Sequence, residues 1–261
     1  YFVGQSAAII LIVISEILLM FAVLEVYRRL SKEHQNNSEN EDEKRKREYQ
    51  QLESLLSIFF TIKPELPLPD TKGWAAAPDL LKKIAEIILL QKPEFVVETG
   101  SGASTVIIAY CLKKIGKGKL LSLEHDTKYA ETNRNQIAFH GLDGIATIIH
   151  APLKEIEINN RKWMWYNIES FNVNKPIDVL VIDGPPGYVQ KLSRYPAIPI
   201  LYAHLNDRSK IIVDDGRRDD EKTIVALWEK EFEGLQSEFF ETENGAFVIT
   251  KNSGDTNQSS S

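Results

Sequence analysis

The 261-residue sequence holds one cysteine, Cys111, and no surplus of basic residues. A single thiol rules out an intramolecular disulfide framework and a cysteine-based zinc site, and it suits a reducing compartment. With a net charge of −6, the chain lacks the basic composition of a sequence-independent nucleic-acid binder. No nucleic-acid partner is therefore expected.

Two nucleotide-binding signatures are also incomplete or missing. A nicotinamide fingerprint needs three glycines in the pattern Gly-x-Gly-x-x-Gly. Here Gly100 and Gly102 supply the first two, but Thr105 occupies the third position. A P-loop needs Gly-Lys followed by Ser or Thr, which the sequence lacks. These gaps argue against a dinucleotide enzyme and a P-loop enzyme.

One long apolar run stands near the start of the chain. Within the 18 residues Ala7–Leu24, only Ser15 and Glu16 are polar, and this length can just cross a bilayer. Insertion of Glu16 costs about 2.5–3.5 kcal/mol, whereas the Ile, Leu, Val and Phe residues together contribute about 4–7 kcal/mol in favour. We expect a single-pass transmembrane helix. A cleaved signal peptide and a buried core helix are the alternatives.

Basic residues at positions 28, 29 and 32 follow this run directly, and no charged residue precedes it. The positive-inside rule therefore predicts that the C-terminal part is cytoplasmic. The predicted division is a transmembrane anchor over 1–27, a linker and juxtamembrane helix over 28–72, an α/β domain over 73–251, and a disordered tail over 252–261.

A short apolar stripe follows the polar linker. Tyr49, Leu52, Leu56 and Phe59 recur at spacings of three and four, which predicts one face of a helix. We expect this face to pack on the domain. A short dimer seam is the alternative, although it spans under two heptads.

From residue 79 onward, helix-type and strand-type patterns alternate with short connections, as in a doubly wound sheet. Asn244-Gly245 between two β-prone runs also predicts a closing hairpin. The predicted helices are Asp79–Leu90, Ser104–Ile115, Lys128–His140, Tyr195–His204 and Asp220–Phe232. The predicted strands are Phe95–Glu98, Lys119–Glu124, Ala146–His150, Ile177–Asp183, Lys210–Asp214, Glu238–Thr242 and Ala246–Lys251.

The first of these strands ends in Glu98 and leads through Gly100-Ser101-Gly102 to a helix opened by Ser104. Glycines permit a positive φ and a close approach to a ligand, and a helix N-terminus attracts negative or polar groups. Because ligands of doubly wound sheets bind at the carboxyl ends of strands, we expect a polar, nucleotide-like cofactor at this turn.

Polar or small residues also follow the next four strands. Glu124 ends the second strand, where an acid can accept both hydroxyls of a ribose. Ala151 follows the third strand, Asp183 the fourth, and Asp214-Asp215 the fifth. Their order and spacing are more specific than any one of them alone.

Together these residues resemble a class I S-adenosylmethionine-dependent methyltransferase, and more closely the methyltransferase-24 group. The segments that carry the closer resemblance are Gly73-Trp74-Ala75 with Pro78-Asp79, Leu123–Asp126, Ala151-Pro152-Leu153, Asp183–Pro186, Arg194–Ala197 and Asp214-Asp215 with Arg218 and Glu221. The resemblance implies a Rossmann-like, mostly parallel seven-stranded sheet in the order 3-2-1-4-5-7-6, with strand 7 antiparallel.

The resemblance also implies roles for individual residues toward S-adenosylmethionine. Gly100 and Gly102 would pack its amino-acid part, Glu98 would fix its ammonium end, Glu124 would hold the ribose, and Ala151 would lie near the adenine. Ser101, Ser104, His125 and Asp183 complete the expected cofactor site.

The acceptor side leaves two interpretations open. Asp183, Asp214 and Asp215 are similar in position to the Asp, Asp, Asn metal ligands of catechol-type O-methyltransferases, and three such oxygens would suit Mg²⁺. However, Asp215 replaces the Asn, and Pro186 stands where those enzymes have a lysine base. In the metal-free interpretation, Asp183 is a general base or orients the substrate.

Trp163, Trp165 and Tyr166 are too many aromatics for an ordinary polar loop. We favour packing over the sheet edge for them, with an acceptor pocket as the alternative. The predicted function is a membrane-anchored methyltransferase that transfers a methyl group to an oxygen or nitrogen of a small-molecule, envelope or lipid-linked acceptor. A nicotinamide-dependent oxidoreductase and a non-catalytic, membrane-tethered scaffold are the alternative functions.

Overall fold

A computed structural model describes residues 2–69, 76–170, 173 and 175–252. Within the first helix, the side chains at 2–17, 19, 22–23, 30–31 and 33–40 lie outside this description. The predicted motif Gly73-Trp74-Ala75 and the predicted tail from residue 253 also lie outside it. The chain divides into two compact units, Tyr1–Gln50 and Gln51–Ser261.

The first helix, α1, runs without a break over Phe2–Ile62. In the part of the chain that the structure describes, no helix combines the length and the apolar character needed to cross a membrane. The predicted span Ala7–Leu24 consists mainly of residues whose side chains fall outside that part. The predicted transmembrane helix is therefore not confirmed.

The end of α1, from Gln51 onward, belongs to the second unit and packs within it through a different face from the predicted one. Ile58 is 1% exposed and Ile62 is also buried, whereas Leu56 is 48% exposed and Leu52 and Phe59 are exposed as well. The prediction that the Leu52–Leu56–Phe59 face packs on the domain is therefore wrong.

The reason for this error is that polar residues share the buried face. Ser54 is buried on it. The Gln51 amide donates to Asp79 Oδ2 at 2.8 Å and its oxygen accepts from the Asp79 N–H at 3.1 Å. Hydrogen bonds thus help to hold this face of α1 against Asp79. A search for apolar periodicity in the sequence does not reveal such polar contacts.

The elements of the second unit alternate as predicted, with one addition. A hairpin lies between the third and fourth strands of the main sheet. The helices are α2 (Pro78–Gln91), α3 (Ala103–Ile115), α4 (Thr127–Phe139), α5 (Ala197–Leu201) and α6 (Asp219–Glu231). The strands are β1 (Phe95–Thr99), β2 (Lys119–Glu124), β3 (Ala146–His150), β4 (Leu153–Ile158), β5 (Arg161–Tyr166), β6 (Ile177–Ile182), β7 (Leu205–Val213), β8 (Leu235–Phe240) and β9 (Ala246–Lys251).

Seven strands form the main sheet in the order β3-β2-β1-β6-β7-β9-β8. Strand β9 is antiparallel to both of its neighbours, and the pairs from β3 to β7 are parallel. Counted along the seven sheet strands, this order is 3-2-1-4-5-7-6, which confirms the predicted topology. Helices α2, α3 and α4 cover one face of the sheet, and α5, α6 and the hairpin cover the other.

The hairpin of β4 and β5 was not predicted. Its strands pair antiparallel around Asn159 and Asn160, whose φ angles are 53° and 58°. Asparagine tolerates these left-handed angles, so Asn-Asn was the turn signal in the sequence. Trp163 and Trp165 are buried in the core beneath the hairpin, as the packing interpretation requires.

Candidate functional site

The carboxyl ends of β1, β2 and β6 open into one cleft of about 520 Å³. This edge of a doubly wound sheet is where ligands bind. The lining includes the predicted turn Gly100–Ala103 and the predicted residues Glu124, His125 and Asp183. It also includes Pro69, Asp126, Tyr129, Thr132, Asn133, Tyr166, Gly184, Pro186 and Tyr188.

The glycine turn lies against the end of β6. Gly100 has a φ of +90°, and a Cβ on it would lie 3.0 Å from the carbonyl oxygen of Asp183. Both the angle and the close approach require glycine at this position. Gly102 differs, because its φ is 179° and a Cβ there would meet no atom within 4 Å. The expectation of left-handed backbone therefore holds for Gly100 but not for Gly102.

Glu98 is fully buried beneath the turn. Its Oε1 accepts from Ser104 Oγ at 2.6 Å, and its Oε2 accepts from Thr105 Oγ1 and Ser122 Oγ, each at 2.6 Å. Burial raises the pKa of Glu98, against the lowering effect of these hydroxyls. Both carboxylate oxygens are thus engaged inside the protein, so Glu98 supports the turn from below.

Thr105 shows why the third glycine of the dinucleotide pattern is absent. Its hydroxyl accepts from the N–H of Gly102 at 2.9 Å and donates to Glu98. A glycine at this position would remove both hydrogen bonds. Thr105 and Ser104 therefore connect the start of α3 to β1.

Glu124 stands at the other end of the turn and lines the cleft. Its Oε2 accepts from the Ser101 N–H at 3.1 Å and from Ser101 Oγ at 3.0 Å, and its Oε1 accepts from the Asp126 N–H at 3.0 Å. Asn133 Nδ2 donates to the Ser101 hydroxyl at 2.8 Å and to its carbonyl at 3.1 Å. The turn is thereby fixed from β2 and from α4.

Several groups hold Glu124 ionised. Burial alone would raise its pKa, but the neighbouring His125 and the N–H groups of Asp126 and Ser101 outweigh it and lower the pKa. His125 Nδ1 lies 3.1 Å from Glu124 Oε1. A carboxylate of this kind accepts hydrogen bonds from hydroxyl groups of a ligand.

Ala151 is placed differently from the other predicted residues. It is fully buried in the core on the hairpin side of the sheet. Its N–H donates to the carbonyl of Glu124 at 2.7 Å. Ala151 thus lies beneath the cleft, next to the backbone of Glu124.

Tyr166 brings the hairpin into the cleft. Its ring is buried, edge-on to His125 with 6.3 Å between ring centroids. Within the described part of the chain, its hydroxyl has no hydrogen-bond partner. Burial, together with the nearby charges of Glu124 and Asp183, raises the pKa of Tyr166 well above its ordinary value. The hydroxyl therefore stays neutral and is able to donate a hydrogen bond to a ligand.

The predicted aspartate trio does come together. Carboxylate oxygens of Asp183, Asp214 and Asp215 all lie within 4.8 Å of one another. Arg194, which precedes α5, reaches into this group. Its Nη2 lies 2.7 Å from Asp215 Oδ2 and 3.2 Å from Asp183 Oδ1, and its Nη1 donates to the Asp214 carbonyl at 2.8 Å.

Asp183 and Asp214 have raised pKa values. Burial raises the pKa of Asp183 well above its ordinary value, and although Arg194 opposes this shift, the charges of Asp214 and Asp215 add to it. Burial and the charge of Asp215 raise the pKa of Asp214 to about 6.

The residues present do not fit a resident divalent metal ion. A magnesium site needs carboxylate oxygens that face an open position. Here the guanidinium of Arg194 engages two of the three carboxylates, and Asp215 Oδ2 also pairs with Arg218 Nη1 at 2.8 Å. The three carboxyl groups converge as expected, but the guanidinium groups of Arg194 and Arg218 already pair with them.

Comparison with known proteins agrees with this site. A family model described as a methyltransferase domain, that of the methyltransferase-24 group, matches residues 97–216, which include the turn, Glu124 and the aspartate trio. Residues 97–216 thus match the sequence pattern of a methyltransferase domain. The predicted resemblance to this group is thereby confirmed. No curated protein sequence matches the chain.

Solved structures share the fold of the methyltransferase domain at low sequence identity. An S-adenosylhomocysteine-bound methyltransferase from Podospora anserina is 12% identical, with 77% of this chain and 88% of that chain covered and a TM-score of 0.55. The O-methyltransferase TomG from Streptomyces achromogenes, solved with S-adenosylmethionine, is 15% identical, with 77% and 90% covered and a TM-score of 0.52. An O-methyltransferase from Bacillus cereus, solved with S-adenosylhomocysteine, is 16% identical, with 77% and 91% covered and a TM-score of 0.50.

Three residues that the structure brings to the site of the methyltransferase domain were not predicted to act there. Asn133 is a polar residue between the buried Ala130 and Ile137 of α4, and Tyr166 lies on the unpredicted hairpin. In the sequence, Arg194 stands out only as part of a segment that resembles the family. Their roles depend on tertiary contacts, and the one local signal was the Asn-Asn turn that places Tyr166.

Proposed function

We propose that this chain transfers a methyl group from S-adenosylmethionine to an oxygen or nitrogen nucleophile of a small-molecule acceptor. The observation that carries the proposal is the cleft, which joins the turn at Gly100, the ionised Glu124 and the carboxyl group of Asp183. The Bacillus cereus and Streptomyces achromogenes structures, both named O-methyltransferases, favour oxygen as the nucleophile.

The donor side of the cleft lies between the glycine turn and Glu124. The start of α3 beside this turn offers the positive end of a helix dipole to polar ligand atoms. The N–H groups of Gly100, Ser101 and Gly102 are already engaged within the protein. Glu124, which remains ionised, would accept hydrogen bonds from the two ribose hydroxyls. Glu98 would act through Ser104, Thr105 and the turn, since its own oxygens are engaged below.

The acceptor side lies near Asp183, which follows β6 and lines the same cleft. Its side chain is 23% exposed and lines the cleft. As the acceptor oxygen forms its bond to the methyl carbon, the sulfur–carbon bond breaks and the electron pair remains on sulfur. Asp183, whose raised pKa makes its ionised form a stronger base, would take the proton that the acceptor loses. The rest of the rate enhancement would come from holding donor and acceptor in line.

Titration calorimetry of the purified full chain with S-adenosylhomocysteine tests the donor side. We expect one site in the wild type and about tenfold to hundredfold weaker binding in Glu124→Gln, because one charge-assisted hydrogen-bond acceptor is lost. The exposed α4 variant Glu131→Gln is the matched control and should bind like the wild type. Binding of a nicotinamide cofactor instead would favour an oxidoreductase, and no binding of either would favour the scaffold alternative.

The location of the enzyme is a separate proposal, which the sequence alone supports. The apolar run Ala7–Leu24 and the basic residues after it favour a single-pass anchor with a cytoplasmic catalytic domain, and hence access to an envelope or lipid-linked acceptor. Carbonate extraction of membranes from expressing cells tests this. Release of the chain into the carbonate-soluble fraction would contradict it.

A further inference from the structure

The aspartate trio has the geometry of a metal site but contains a buried cation of its own. Asp183 follows β6, and Asp214 and Asp215 follow β7, the next strand of the sheet. Their convergence within 4.8 Å is the arrangement that a divalent ion would need. The Arg194 side chain, which is 3% exposed, lies among them.

The contacts of Arg194 are spread over the whole cluster. Nη2 lies within 3.2 Å of both Asp183 Oδ1 and Asp215 Oδ2, and Nη1 donates to the Asp214 carbonyl. Nη1 also lies 3.7 Å from Glu221 Oε1, another buried carboxyl. One guanidinium thus connects four acidic residues from two loops and α6.

A guanidinium at this position is incompatible with a metal ion bound by the same oxygens. Arginine does not lose its proton in proteins, so Arg194 cannot become neutral to admit a dication. Displacing its side chain would leave a charged group without its partners in a buried region. Arg194 and a divalent ion therefore compete for one place.

The same contacts fix the carboxyl group of Asp183. Asp183 is the member of the trio that lines the cleft, and Arg194 holds both its Oδ1 and, at 3.4 Å, its backbone carbonyl. Arg194 is not among the residues that line the cleft and reaches it only through Asp183, so it is a positioning residue.

We propose that Arg194 replaces the divalent cation of this aspartate trio, so that the enzyme works without a metal ion and Arg194 orients Asp183 toward the acceptor. The second half of the proposal rests on the proposed methyl transfer. The first half concerns cation binding alone and is tested without turnover.

The test of the first half is Mn²⁺ binding to the full chain, measured by electron paramagnetic resonance. We expect the wild type to bind no ion at the trio, whereas Arg194→Ala should bind one Mn²⁺ there. The control Arg218→Ala removes a half-exposed partner of Asp215 and should gain no such site. Adding Asp214→Asn to Arg194→Ala should abolish the gained binding.

If Arg194→Ala does not fold, Mn²⁺ binding and the metal dependence of the wild type still test the proposal. One Mn²⁺ bound to the wild type and lost in Asp214→Asn would overturn it. Methyl transfer that EDTA abolishes and Mg²⁺ restores would overturn it as well. Failure to bind S-adenosylhomocysteine would contradict the proposed function but leave the cation result unaffected.

Arg194→Lys tests the second half. Lysine keeps the charge but lacks the planar fork that spans two carboxylates. We expect kcat to fall at least tenfold while the Kd for S-adenosylhomocysteine stays within twofold of the wild type. An equal loss in donor binding would indicate a merely structural role and would contradict the positioning of Asp183.

Discussion

A Cβ on Gly184 would overlap the hydroxyl oxygen of Tyr166. The same Cβ would lie 3.3 Å from both the Cα and the backbone nitrogen of Gly100. The hairpin, the end of β6 and the glycine turn therefore meet at one point in the cleft. This contact fixes where the Tyr166 hydroxyl faces a ligand.

Gly184→Ala should destabilise the fold and weaken donor binding. Overpacking of this kind typically costs about 1–3 kcal/mol of the free energy of unfolding, which urea denaturation measures. Gly144→Ala is the matched control, since a Cβ there meets no atom within 4 Å. The double variant with Tyr166→Phe removes the overlapping oxygen and should recover part of the loss. Equal stability of the two alanine variants would contradict the contact.

Tyr166→Phe should affect the free and the donor-bound protein in opposite ways. In the free protein, its buried hydroxyl lacks a partner within the described residues, so removing it should leave the free energy of unfolding unchanged or raise it by about 1 kcal/mol. If the hydroxyl donates to the bound donor, S-adenosylhomocysteine should bind about threefold to tenfold more weakly, since a neutral hydrogen bond contributes about 0.5–1.5 kcal/mol. Unchanged binding in calorimetry would show that this hydroxyl does not contact the donor.

Much of the sheet and half of the site followed from local patterns. Strand runs, strand-end acids and the Asn-Gly hairpin depend on residues close together in sequence, so periodicity and turn chemistry predict them. The family resemblance supplied the strand order, which the structure confirms. Glu124 and Asp183 lie at the cleft for the same reason, because parallel strands end at one edge of the sheet.

The rest depended on contacts between distant segments. The buried face of α1 carries Gln51 and Ser54, so its docking through Asp79 is invisible to an apolar pattern. The position of Arg194 among three aspartates is set by the loop before α5 and by two strand ends. No spacing in the sequence relates these segments. The position of the Arg194 charge at the trio was therefore found only in three dimensions.

Glu98→Gln should remove a pH-dependent contribution to stability. Burial raises the pKa of Glu98 in the folded protein, so above the ordinary glutamate pKa of about 4.3 the folded chain retains a proton that the unfolded chain has lost. Stability from this group is therefore complete below about pH 4.3 and falls as pH rises toward the folded pKa, by up to about 1.4 kcal/mol per pH unit.

The measurement is the difference in free energy of unfolding between wild type and Glu98→Gln from about pH 4 to pH 8. The wild type should lose stability relative to the variant as pH rises, because all other groups titrate alike in both proteins. The exposed variant Glu131→Gln is the matched control for a Glu-to-Gln change. A difference that grows in favour of the wild type with rising pH would mean that the three hydroxyls, and not burial, dominate the environment of Glu98.

Asp183→Asn should separate catalysis from donor binding. The amide keeps the size of the side chain and an acceptor for Arg194, but it does not take a proton. If Asp183 is the general base, kcat for an oxygen acceptor should fall about 10²- to 10⁴-fold, while S-adenosylhomocysteine binds as in the wild type. The exposed variant Asp143→Asn is the control for a neutral Asp-to-Asn change. Single-turnover methyl transfer from labelled S-adenosylmethionine, once an acceptor is found, measures the chemical step. A kcat within threefold of the wild type would assign Asp183 to orienting the acceptor through hydrogen bonds, because an asparagine does that equally well.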